Sequence, residues 1–119
     1  MPVSVADWVV EGQSVARGFA FLIAYEEIDR TANSVKFCLS IASGLFVSVY
    51  VNAASGKVSL ALIHNSQRVF GRDNQGGTWH LHPVSNPSHH DFGPAATRPV
   101  SLREFMVEVE SILLDLGLL

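Results

Sequence analysis

From Val35 to Val51 the chain alternates apolar and polar positions almost without interruption. Val35, Phe37, Leu39 and Ile41 fall on one face and Lys36, Cys38 and Ser40 on the other, as a half-buried β-strand requires. After Ser43-Gly44 the alternation resumes, with Leu45, Val47, Val49 and Val51 against Phe46, Ser48 and Tyr50. A plain two-residue loop pairs Leu39 with Ser48 and mismatches the two apolar faces, so burial predicts a three-residue loop or a bulge in this hairpin. Turn formers at residues 52–56 lead into a strand carrying Val58, Leu60 and Leu62, and His64-Asn65-Ser66-Gln67 leads into another over residues 68–72. Consecutive strands with short turns predict an antiparallel meander. Asp73-Asn74-Gln75-Gly76-Gly77 ends the alternation, and residues 79–82 form a short strand stopped by Pro83.

Toward the C-terminal end the period changes from two to 3.6. Leu102, Phe105, Met106, Val109, Ile112, Leu113 and Leu116 make one helical stripe, with Arg103, Glu104, Glu108, Glu110 and Asp115 on the solvated side. Ser101 and Glu104 are spaced as a capping box, Val100 can staple onto Phe105, and Gly117 is placed to end the helix. Residues 4–18 predict a short, imperfect helix, with Val5, Trp8, Val9 and Val15 at helical spacing and Gly12 interrupting. Residues 19–31 fit a strand with Phe21, Ile23 and Tyr25 on one face, or a continued helix with Leu22, Tyr25 and Ile28. The strand is the preferred reading. Residues 83–99 hold five Pro and Gly residues and form a long loop, a common place for function. The expected fold is therefore α+β: a single domain over residues 1–119 in which a four- to five-stranded antiparallel meander packs against a C-terminal helix, with a short N-terminal helix.

Composition agrees with that reading. A chain of 119 residues with 48% hydrophobic and 16% charged positions can build a core without disulfides or a structural metal. Cys38 is the single cysteine, so no internal disulfide forms. The apolar run from Phe19 to Tyr25 is too short to span a bilayer and no secretory leader pattern is visible, so a cytoplasmic protein without membrane contact is expected. The net charge of -3 is unevenly spread, with residues 1–31 at -3, residues 32–100 at +3 and residues 101–119 at -3. A mildly cationic middle is much weaker than the footprint of most nucleic-acid binders, and neither demands nor excludes RNA.

All five histidines lie between Lys57 and Asp91. His80 and His82, two apart on a strand, project from one face while Trp79 and Leu81 face the other. Such a pair suits metal binding, with His89, His90 or Asp91 as a third ligand, or acid/base work near neutral pH. It can equally be a hydrogen-bonded pair with no chemistry. No HExxH and no nearby cysteine accompany it, which counts against a metal. Arg68 and Arg72 stand four apart on the expected strand, on one face, where they fit a phosphate, pairing with Asp73, or plain solvation. Asp73-Asn74 suits an Asx-type turn, and Gly76-Gly77 permits backbone approach to an anion but precedes no helix. Cys38 and the paired Glu26-Glu27 fit a strand residue and a solvated face, and Trp79 fits packing better than base stacking.

The run GKVSLALIHNSQRVFGRDNQGGTWHLHP, followed by NPSHHD and the helix SLREFMVEVESILL, resembles the TumE-like toxin family of bacterial and archaeal toxin-antitoxin pairs. The likeness covers roughly residues 35–116 and is carried by Arg68, Phe70, Asp73, Asn74, His80 and His82. It implies a small α+β toxin that cleaves RNA without a metal or other cofactor and is held inactive by an antitoxin partner with a helix-turn-helix. On that likeness His80 and His82 are the acid/base or phosphate-contacting residues and Arg68 and Arg72 stabilise the phosphate. Asp73, Asn74, Trp79, His89 and His90 complete the candidate substrate contacts. The acidic net charge and the added His89-His90-Asp91 depart from the pattern. Two other functions fit the same residues: a non-enzymatic interaction module, such as a homodimer through an exposed sheet edge, and a metal-dependent hydrolase built on the histidines.

Overall fold

The computed structural model describes residues 2–119. Its elements run α1 (Val5–Gly18), β1 (Ala24–Arg30), β2 (Ser34–Ala42), β3 (Leu45–Asn52), β4 (Lys57–His64), β5 (Gln67–Asp73), β6 (His80–His82) and α2 (Leu102–Asp115). The strands form one sheet in the order β1-β2-β3-β4-β5-β6, every neighbouring pair antiparallel. The expected meander is therefore present with six strands instead of four or five. The count reaches six because both outer segments read as strands, residues 24–30 and 80–82, join the same sheet. The strand reading of residues 19–31 holds from Ala24 onward, whereas Phe19 to Leu22 is a turn closed by Leu22 N–H donating to the Phe19 carbonyl.

The β2–β3 hairpin takes the register that burial demands. Val35, Phe37 and Leu39 stand opposite Val51, Val49 and Val47, and an irregularity between Ser40 and Ala42 absorbs the extra residue before the turn. These side chains, with Leu45, Val58, Leu60, Leu62 and Phe70, form one buried face of the sheet.

Both helices cover that face. In α2 the Ser101–Glu104 capping box forms, Leu102, Phe105, Met106, Val109 and Leu113 are buried, and Phe105 stacks on Phe70 with ring centroids 5.5 Å apart. The N-terminal helix corrects the expectation of a short, interrupted element. It runs unbroken for 14 residues through Gly12, with Ser4 and Asp7 as its capping box. Gly12 serves the packing: a Cβ there would lie 2.7 Å from the Phe37 ring, so only glycine lets the helix come this close. Among the described residues, no helix is long and apolar enough to cross a membrane.

Candidate functional site

At the β5–β6 edge, pairing brings Asp73 opposite His80 and Gly71 opposite His82. Directly opposed residues of antiparallel strands share a face, so Asp73, His80 and His82 lie together on the face turned away from the helices. Trp79 and Leu81 alternate to the other side, where they pack on the core. The long loop returns to this edge. Leu81 and Asp91 exchange backbone hydrogen bonds of 3.0 and 2.8 Å, which makes residues 90–92 a minimal antiparallel neighbour of β6. By alternation His90 and Phe92 then join the histidine face. The rings confirm the placement: His82–His90 centroids are 4.7 Å apart, His80–His90 4.9 Å and His80–Phe92 5.0 Å.

Asp73 is the centre of the group. Its Oδ1 lies 3.0 Å from His80 Nε2 and accepts the Gln75 N–H, and its Oδ2 lies 3.1 Å from His82 Nε2. On the far side of each ring, His80 Nδ1 meets the Thr78 carbonyl at 3.2 Å and His82 Nδ1 meets the Pro87 carbonyl at 3.0 Å. A carbonyl oxygen only accepts, so both contacts assign the ring proton to Nδ1. Each neutral ring then aims an Nε2 lone pair at a carboxylate oxygen. A proton in a gap, carried by the ring or by the carboxyl, satisfies such a pair, and so does a cation at the focus. His82 is 2% exposed, and its desolvation holds its pKa below the ordinary histidine value although the Pro87 carbonyl and Asp73 pull it upward.

His80, His82 and His90 offer one ring nitrogen each, all within 4.8 Å of one another. Zinc takes nitrogen donors at about 2.0–2.1 Å, so side-chain adjustment suffices to close the three imidazoles on one ion, with Asp73 beside the two buried rings. Backbone carbonyls holding the remote ring nitrogens are the usual supports of metal-bound histidine. His80 and His82 wall the inner side and exposed His90 the outer. A pocket of about 330 Å³ opens over the cluster, lined by Arg68, Asp73, Gln75, Gly76, His80, His82, His90 and Phe92.

The two arginines, expected on one face, are separated. Leu62 stands opposite Phe70 but Ile63 stands opposite Arg68, so Val69 is an extra residue in β5. This bulge turns Arg68 to the histidine face, while Arg72, opposite Leu60, points into the helix layer. There Arg72 makes a two-pronged ion pair with Glu108 of α2, at 2.8 and 2.7 Å, and donates to the Ala95 carbonyl at 3.2 Å. Arg72 is scaffold, with no path to the pocket. Asn74 is also structural: its side chain accepts the Val58 N–H and donates to the Gly56 carbonyl, tying the site to the β3–β4 turn. Trp79 lines a different cavity beside Trp8, on the other side of β6. His89 is exposed and lies outside the cluster, with its N–H on the Asn86 carbonyl, and Asp91 accepts the Gly93 N–H instead of facing the histidines. Gln75 and Phe92 are pocket residues that spacing alone did not single out.

Compared with protein-family models, curated proteins and solved structures, the chain returns no match.

Proposed function

We propose that this protein is a metal-dependent hydrolase whose ion is held by His80, His82 and His90, with the Asp73 carboxylate beside it and one position left open. One observation carries the reading: His80, His82 and His90 bring one ring nitrogen each within 4.8 Å of one another at an open pocket, and the two buried rings keep their Nδ1 protons on carbonyls and turn both Nε2 atoms to Asp73. A divalent ion on such donors supplies Lewis-acid polarisation and an activated water at neutral pH. The chain's own part is to fix the donors: Gln75 N–H orients Asp73, the Thr78 and Pro87 carbonyls set the tautomers, and the Leu81–Asp91 bridge presents His90.

Metal-free RNA cleavage, implied by the likeness to TumE-like toxins together with an antitoxin partner, is the second reading. It is favoured by the convergence of Arg68 with the histidine pair in one pocket. It is weaker at one point: His80 and His82 are 5% and 2% exposed with both Nε2 atoms turned to Asp73, which leaves a substrate hydroxyl little access to either ring.

The two readings part on removal of metal. The full-length protein is stripped with chelator, titrated with Zn²⁺ by calorimetry, and assayed on RNA and on chromogenic esters with and without the ion. The metal reading expects one zinc per chain, lost in the His80→Ala, His82→Ala double variant, and hydrolysis only in the loaded protein. Absence of zinc uptake, or cleavage untouched by chelator, would refute it.

A further inference from the structure

Arg68 reaches the pocket through two local features of β5. The bulge at Val69 turns it to the histidine face. Gly71 then leaves room for its stem to lie across the strand: a Cβ at Gly71 would stand 3.2 Å from Arg68 Cδ and 3.0 Å from the Leu60 carbonyl oxygen. Among the described residues Arg68 takes part in no ion pair. Asp73, the carboxylate in the same pocket, has its oxygens turned to His80, His82 and the Gln75 N–H. An exposed guanidinium is thus held beside the histidine cluster with its planar set of donors uncommitted.

We propose that the pocket takes a phosphate group, its oxygens shared between the histidine-held ion and the Arg68 guanidinium. The proposal rests on the metal reading above and names the substrate class of that site, a phosphate ester. Charge decides for phosphate over carboxylate. A divalent ion, one aspartate and one arginine leave the pocket with two positive charges, which a phosphate dianion balances and a carboxylate only halves. Geometry agrees, because a tetrahedral group can turn one edge to a guanidinium fork while another oxygen meets the ion.

The test is a calorimetric titration of the full-length protein, loaded with one equivalent of zinc, by inorganic phosphate and separately by acetate. Wild type is compared with Arg68→Gln and Arg68→Lys, both at an exposed position where the fold is not at stake. Phosphate is expected to bind more tightly than acetate. Arg68→Gln is expected to weaken phosphate roughly tenfold to a hundredfold, the range for a hydrogen bond between charged groups. Arg68→Lys, which keeps the charge and loses the fork, falls between. None of the three proteins loses zinc affinity, since removing the Arg68 charge only relieves repulsion of the ion. Wild-type phosphate affinity in Arg68→Gln, acetate binding as tightly as phosphate, or no phosphate binding by the zinc form would each overturn the proposal while leaving the metal centre standing. Failure to take up zinc sinks both.

Discussion

Asp73 accepts the Gln75 N–H and faces the Nε2 atoms of both His80 and His82, and among the described residues no other carboxylate lines the pocket. Replacing it by asparagine keeps the shape, removes the charge and turns an amide N–H₂ toward one imidazole lone pair. Asp73→Asn is expected to lower zinc affinity roughly tenfold to a hundredfold, the cost of losing a group that supports metal-binding histidines. Competition against a chromophoric chelator measures this, and an unchanged affinity would remove Asp73 from the site. At this scale the sequence was half legible. The spacing of His80 and His82 placed both rings on one face, because alternation in a strand is a local rule. The role of Asp73 was hidden by its Asx turn, which is present through Oδ1 and Gln75 but leaves Oδ2 free for His82. His90 and His89 are adjacent in sequence, and only the Leu81–Asp91 bridge, a contact over ten positions, decides which one faces the site.

Among the elements, β5 shows where pattern reading stops. Residues four apart on a regular strand share a face, and Arg68 and Arg72 do not, because Val69 adds a residue that no turn former announces. By contrast the β2–β3 irregularity was readable, since two strongly apolar faces had to be brought opposite each other. Gly12 misled in the other direction: it looked like a break in α1 and is the point of closest approach to Phe37. The displaced Arg72 instead joins sheet to helix. Its side chain is 5% exposed and that of its partner Glu108 30%. Glu108→Ala leaves a buried guanidinium without its counterion, an expected loss of about 2 kcal/mol, less than for a wholly buried pair because Glu108 is partly solvated. Urea unfolding measures the loss. Zinc affinity is expected to be unchanged in this variant, and a drop in affinity equal to that of Asp73→Asn would return Arg72 to the site.

At the scale of the whole molecule the side chains of the site come from three separated segments: the end of β5, β6, and the loop of residues 83–99. The folded chain brings them together through the β5–β6 ladder, the His82–Pro87 contact and the Leu81–Asp91 bridge, while Arg72 holds the same loop from below through Ala95. An unfolded chain lacks this convergence, so an ion that binds here binds the native state in preference and stabilises it by mass action. Free zinc at a hundredfold its dissociation constant contributes about 2.7 kcal/mol. For a domain of this size that corresponds to a rise in Tm of about 10 °C. The rise should vanish on adding chelator and should be absent from the His80→Ala, His82→Ala double variant. It should be smaller but present in His90→Ala, because His90 is the exposed donor and the two buried rings remain. Differential scanning calorimetry distinguishes the cases. A zinc-induced rise of equal size in the double variant would mean that the ion stabilises the fold from somewhere other than the β5–β6 edge.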